Sequence, residues 1–243
     1  MQGELIFGVH SILELLAAKR RKIISVYTTK RQPESWEKIV RLLPKSVNIQ
    51  YVDREVLHKI AGTTDHQGIL AWVTPFVGRK SFFDSRKQPF LLMLDGIQDP
   101  HNLGAILRSA YCTGVDGVII TKRKSAPLTA TAIKASAGLA EHQEIYFSAS
   151  ASHAVQELKA AGYHIYLATI SGKNALEVEY QRPFCLVIGN EAVGISREIL
   201  SAGTQVTLPQ RSEDISYNAS VAAGILLFLV GVMPRQELKQ GKK

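Results

Sequence analysis

"FLLMLDGIQDPHNLGAILRSAYCTGVDGVIIT", residues 90–121, decides the fold. Its first six residues and its last five form two nearly unbroken apolar runs. Between them Leu103, Ile106, Leu107 and Ala110 recur at i, i+3, i+4 and i+7, one apolar face of a helix. Continuous apolar strands separated by helices belong to a buried, mostly parallel sheet. The stretch also carries Asn102, Gly104 and Arg108, which the apolar face does not need. Arg108 lies off that face, one turn beyond Gly104.

Downstream the alternation continues. Strands are expected at 163–169, 184–189 and 205–209, and helices at 102–113, 127–139, 150–161 and 218–230. Upstream, residues 1–75 alternate faster, with helical patterns at 10–19, 33–43 and 54–62 and extended ones at 22–29, 47–53 and 66–74. That reads as a small α/β domain. Residues 76–89, set between Pro75 and Pro89 and rich in Lys and Arg, read as a linker to a second domain over 90–243.

The chain has 243 residues, 46% hydrophobic and 21% charged, enough for one large domain or two small ones. Lys and Arg number 29 against 21 Asp and Glu, a formal charge of +8 that suits a polyanionic partner, nucleic acid first. Cys112 and Cys185 sit in apolar runs without metal-ligand spacing, as buried free thiols of a reducing compartment do. No secretory pattern opens the chain, and the longest apolar stretch, 219–232, falls short of the ~20 residues of a membrane span. A cytoplasmic protein without membrane or metal partner is expected.

The glycine fingerprints of dinucleotide and P-loop sites are missing, as are a nucleophile elbow and zinc-ligand spacings. Instead, polar residues follow three strands: "GIQDPHN" after 90–95, "GNEAVG" after 184–188 and "QRSEDISYN" after 205–209. Ligands of open parallel sheets bind beyond the carboxyl ends of the strands, so this rim reads as an enzyme site.

Three stretches carry a family resemblance. "DPHNLGAILRSA" (99–110), "LVIGNEAVGIS" (186–196) and "LPQRSEDISYNASVAAGI" (208–225) resemble, in order and spacing, the three motifs of the SpoU-type RNA 2′-O-ribose methyltransferases of the SPOUT superfamily. "FGVH" (7–10) and "HQGILA" (66–71) resemble that family's N-terminal substrate-binding domain, so the likeness spans the chain. Within the family it is nearest the bacterial 23S rRNA guanosine-2′-O methyltransferases. The resemblance implies a small α/β RNA-binding domain and a C-terminal α/β domain with a trefoil knot, a mostly parallel sheet, bound S-adenosylmethionine and a homodimer that completes the site. Carried over, Thr169, Gly189, Asn190, Leu208 and Tyr217 border the cofactor, and Asn102, Arg108, Glu191, Ser216 and Asn218 form the catalytic cluster. The same chemistry on tRNA or another rRNA nucleoside, and a non-catalytic RNA-binding or ribosome-assembly protein, are the other readings.

Methyl transfer to a ribose 2′-OH needs an aligned oxygen and a place for its proton; the sulfonium supplies the electrophile. Guanidinium stays protonated, so Arg108 is expected to hold RNA phosphate and stabilise the developing alkoxide, with Gly104 leaving room for the ribose-phosphate. Asn102 and Glu191 are expected to orient Arg108 or loop backbone, and Ser216 and Asn218 to bond substrate or Asn102. Each also has a plainer use: Asn102 as an N-cap, Arg108 as a solvated residue, Glu191 as a cap near 195, and Ser216 and Asn218 as caps of the last helix. The basic clusters at 19–22, 79–80, 86–87 and 122–124 together suit RNA phosphate. Histidines 10, 66 and 101 are expected to be structural. The third motif departs from the family pattern at Tyr217, where a leucine is usual, at Glu213 and Asp214, and Ala192 replaces a common glycine in the second.

Overall fold

The computed structural model describes residues 3–211 and 216–233, and they divide into two compact units. The first comprises Met1–Val77 and Leu128–His142, the second Gly78–Pro127 and Gln143–Lys243.

The first unit opens with β1 (Glu4–Phe7) and α1 (Val9–Ala18), then β2 (Ile23–Thr28), α2 (Trp36–Leu42), β3 (Asn48–Tyr51), α3 (Arg54–Ala61) and β4 (Ile69–Val73). The strands form a mixed sheet in the order β1-β4-β2-β3, in which only β2 and β3 pair in parallel. The sequence pattern anticipates every element here except β1.

In the second unit β5 (Phe90–Asp95) leads into α4 (Pro100–Thr113) and β6 (Gly117–Thr121). The chain then returns to the first unit for α5 (Ala130–Ala135) and a 3-10 turn at Leu139–His142. Back in the second unit follow β7 (Ile145–Ser148), α6 (Ala151–Ala160), β8 (His164–Asn174), β9 (Phe184–Gly189), β10 (Thr204–Thr207) and α7 (Ala219–Gly231). The sheet order is β10-β8-β9-β5-β6-β7, and every pairing is parallel. β5, β6 and β9 are buried at every residue, as strands covered on both faces must be. Leu91, Met93, Ile119, Leu167, Cys185 and Val187 pack one face against α6 residues such as Ala154 and Leu158.

Two features differ from the expected organisation. The first is the 76–89 segment. From Gly78 onward it belongs to the second unit rather than to a free tether, because Phe83 is buried in that unit's core and Arg79 N–H bonds the Ile145 carbonyl at 2.7 Å on the edge strand. The second is the 128–142 segment, which a sequence-local reading assigns to the 90–243 domain. It packs on α1: at Gly138 a β-carbon would lie 2.8 Å from Ser11 Cα. Arg21, its side chain 3% exposed, donates to Glu141 at 3.0 Å, to Glu4 at 2.6 Å and to the Thr74 carbonyl at 2.7 Å. Lys134 pairs with Asp65, and His142 with Glu14.

Candidate active site

Strand order locates the site. From β5 the chain crosses to β6 on one side, and from β9 to β10 on the other, so the loops after these adjacent strands lie at a topological switch point. They are bonded together. Asn190 donates its amide to the Gly96 carbonyl at 2.7 Å, and its Oδ1 accepts from Ala192 and Val193 N–H at 2.9 and 3.1 Å. Glu191 reaches back across the switch. Its Oε1 accepts from Asp99 N–H at 3.2 Å and Asn102 Nδ2 at 3.1 Å, and its Oε2 from Gln98 N–H at 3.2 Å. Burial pushes the Glu191 carboxyl up, but bonds from its own N–H, from Asn102, Gln98 and Asp99 outweigh this and hold it below the usual carboxylate range. The carboxylate therefore stays charged while bridging two loops, with no cation paired to it among the described residues.

Asn102 is buried, and it is not the helix cap: Asp99 takes that place, accepting from His101 N–H at 2.8 Å, with Pro100 as the first helical residue. Asn102 is thereby free to serve Glu191. Arg108, two turns along α4, is exposed, and among the described residues it has neither an ion pair with Glu191 nor a hydrogen bond to Asn102. Gly104 is buried on the packed face of α4, because the helix sets it among Leu103 and Leu107; it does not leave an open patch for a ribose.

A cavity of about 480 Å³ opens beside this cluster, at the carboxyl ends of β9 and β10 and against the middle of β8. Thr169, Gly189, Asn190, Leu208 and Tyr217 all line it, as do Glu191 and Ser216. Gly189 is required there by close approach: a β-carbon would sit 2.3 Å from the Gly194 carbonyl carbon. Asn190 and Gly194 then exchange backbone bonds at 3.0 and 2.9 Å, which closes the loop on itself. Tyr217 is 43% exposed and donates its hydroxyl to the Pro209 carbonyl. Asn218 does not line the cavity; its side chain accepts from Ser220 N–H at 2.8 Å and caps α7. Neither Ser216 nor Asn218 bonds Asn102 among the described residues. Glu213 and Asp214 lie outside the described residues.

Sequence reasoning missed two contributors. Asp95, 4% exposed, accepts from Ser196 N–H at 2.7 Å and Ser196 Oγ at 3.1 Å, pinning the far end of the Asn190–Gly194 loop. A charge ending an otherwise apolar strand was the available signal. Arg197 is the other, the sole cation among the described cavity-lining residues. Of the two cysteines only Cys185 is buried, which pushes its thiol far up; Cys112 is exposed because α4 turns it away from the apolar face. His66 is fully buried, its Nδ1 accepting from Gly68 N–H, a structural place of the kind expected. Among the described residues no His, Cys, Asp and Glu group could hold a metal, and no helix is long and apolar enough to cross a membrane.

A ligand-sized cavity at the switch point of a parallel sheet, with a polar cluster on its rim, defines an α/β enzyme of small-molecule chemistry. Residues 89–228 match the SpoU rRNA Methylase family, and residues 5–77 match the RNA 2′-O ribose methyltransferase substrate-binding domain. The chain is 34% identical over 238 residues to the 23S rRNA (guanosine-2′-O-)-methyltransferase RlmB of Pasteurella multocida, covering 93% of this chain and 96% of that one. It is 33% identical over 237 residues to the RlmB of Haemophilus ducreyi, covering 93% and 96%. The solved SpoU methyltransferase AviRb of Streptomyces viridochromogenes, in complex with AdoMet, shares the fold at a TM-score of 0.80 and 19% identity, over 97% of this chain and 90% of that one. The chain belongs to the SpoU rRNA methylase family. It is an RNA 2′-O-ribose methyltransferase, and the AviRb structure that shares its fold holds AdoMet, a methyl donor. The cavity suits that donor. Its volume lies in the range of small-molecule sites, Ile170, Leu208 and Tyr217 offer apolar surface to a purine, and the loop backbone at Gly189 offers polar groups.

Proposed function

We propose that this enzyme methylates the 2′-OH of a guanosine in 23S rRNA, acting in the cytoplasm as a homodimer with a knotted second domain. The carrying observation is the rim at the switch point, where Glu191 ties Asn102 and the Gln98–Asp99 backbone to the wall of the cavity. Support for the substrate comes from the RlmB relatives, whose names specify the 2′-O of a guanosine of 23S rRNA. The basic charge of +8 and the substrate-binding match over 5–77 agree with an RNA partner. The first unit, 1–77 with 128–142, would bind RNA, and the second, 78–127 with 143–243, would carry out transfer.

S-adenosylmethionine supplies an electrophilic methyl group when bound. Thr169, Gly189, Asn190, Leu208 and Tyr217 hold and orient it. Glu191 and Asn102 fix the loop geometry on which alignment depends, and Ser216, at the cavity wall, bonds the ribose. Asn218 holds Ser216 in place through the start of α7. Arg108 grips the RNA phosphate and stabilises the 2′-oxygen as its proton passes to an oxygen of that phosphate.

Arg108 does not line the cavity of its own chain, and this favours a site completed by a second copy. The surface for it is present: Val221, Ile225 and Phe228 form an exposed apolar stripe on α7, beside α4 with its exposed Tyr111. Support for the knot is a single cavity lined by Ser216, Tyr217, Ala219, Ala222 and Leu226 together with residues 168–171 of β8 and the loop after β9.

The test is transfer of labelled methyl from S-adenosylmethionine to 23S rRNA lacking its ribose methylations, with the product position mapped. Incorporation at one guanosine 2′-O is expected. Labelling of tRNA with rRNA left blank would overturn the substrate, and sedimentation as a monomer would overturn the dimer.

A further inference from the structure

The four basic clusters of the chain are not equivalent once their side chains are traced. In the 19–22 cluster Arg21 is buried against Glu141 and Glu4. In the 79–80 cluster Arg79 pairs with Glu144 at 3.1 Å and lies 4.7 Å over the Phe83 ring. In the 86–87 cluster Arg86 bonds Asp84 at 3.3 Å. Lys122, Arg123 and Lys124 differ from all of these: each is exposed, and no described acidic residue pairs with any of them.

The backbone that displays the triplet is fixed rather than loose. Lys122 N–H bonds the Ser148 carbonyl at 2.8 Å, and Ala126 N–H bonds the Ile97 carbonyl at 2.7 Å. Thr121 Oγ1 accepts from Gly96 N–H at 3.1 Å and meets Ser125 Oγ at 3.1 Å. Lys124 adopts a left-handed conformation, φ 58°, which a lysine seldom takes unless its surroundings impose it. The loop is thus stapled to residues 96–97, at the start of the loop that leads to Asp99 and Asn102. Three uncommitted cations stand next to the rim bearing the Glu191 cluster.

We propose that Lys122, Arg123 and Lys124 form a phosphate-binding edge that holds the RNA strand flanking the target nucleotide. This rests on the methyltransferase reading of the rim and adds to it the surface by which RNA is set in register. Phosphate contacts position a nucleic acid without reading its sequence, which is the task left to a loop beside the reacting ribose. The preceding strand, β6, is buried throughout, so the triplet has a rigid base.

The test is the full-length variant Lys122→Gln, Arg123→Gln, Lys124→Asn; asparagine tolerates the left-handed backbone at 124. Binding of a 23S rRNA fragment is titrated without methyl donor across a salt series, and S-adenosylhomocysteine binding is measured separately by calorimetry. Removing three phosphate contacts lowers the slope of log K against log salt by about 2 and weakens RNA binding about 10- to 100-fold at low salt, from ~0.7 per contact on single strands. The KM for RNA rises while kcat at saturating RNA and S-adenosylhomocysteine affinity stay at wild-type values. The paired variant Arg86→Gln, Lys87→Gln is the control, and its slope changes little. An unchanged slope in the triple variant, or an equal loss per charge in the control, overturns the proposal. A wild-type chain that binds RNA with this slope but no S-adenosylhomocysteine would instead overturn the methyltransferase reading.

Discussion

Glu141 in the first unit and Glu191 in the second are both tied to neighbours, and their surroundings push them opposite ways. Burial raises the Glu141 carboxyl above the usual carboxylate range, although the Arg21 guanidinium beside it opposes this. Glu191 is held below that range by neutral donors that outweigh its burial. The Arg21 cluster is turned inward: each nitrogen of that guanidinium donates to Glu141, Glu4 or the Thr74 carbonyl, and its work is to bind two stretches of chain into one unit. The Glu191 cluster is open. It fixes loops at a cavity wall and leaves Arg108 exposed and uncommitted. Charge that stabilises is consumed inside the protein; charge that acts on a ligand is kept available.

The largest effect expected from breaking this contrast is in the inward-turned cluster. Arg21→Ala strands the buried Glu141 carboxylate and costs about 3–5 kcal/mol, read as a fall in the thermal midpoint of the full chain. A loss under about 1 kcal/mol would show that the pair is not sealed from water. Arg108→Ala is expected to do the reverse. It lowers methyl transfer about 10²- to 10³-fold, in the range for removing one group that stabilises developing charge, with melting and S-adenosylhomocysteine affinity unchanged. A matching loss of stability would put Arg108 among the structural charges.

Smaller effects sharpen the comparison. Asn218→Ala removes the cap of α7 and costs about 1 kcal/mol of stability. The smallest signals are opposite pH slopes. With the Glu141 pKa raised on folding, the native state holds that proton more tightly, so its contribution is present at low pH and lost as pH rises from about 4.5 through the raised value. With the Glu191 pKa lowered, the unfolded chain holds the proton more tightly; the contribution is present above about 4.5 and lost as pH falls through the lowered value. Melting from pH 3.5 to 7 should therefore change slope in opposite senses in Glu141→Gln and Glu191→Gln. Slopes that shift the same way would remove the distinction between the two carboxylates.

Legibility in the sequence followed the range of the forces involved. β5, β6 and β9 coincide with their apolar runs because strands buried on both faces leave continuous signals, whereas the short β1 and β7 were not anticipated. The 128–142 segment looks like any helical stretch of the second domain; its attachment depends on Ser11, Glu14 and Arg21, more than a hundred residues away. At the site, motif order singled out residues, Gly189 and Leu208 among them, that line one cavity. Side-chain destinations were harder. Asn218 points to its own helix, Asp99 displaced Asn102 as the cap, and Asp95 went unremarked at the end of an apolar strand.

The return of 128–142 to the first unit has a consequence for how the chain is made. The chain passes between units after residues 77, 127 and 142, so the first unit is not a contiguous cassette. A nascent chain emerging from its ribosome cannot close the Arg21–Glu141 pair until residue 141 has cleared the exit, long after β4 is complete. A gene fragment ending at residue 77 encodes the sheet but not its last buried partner, and transplanting that domain to another enzyme would require grafting two pieces of chain.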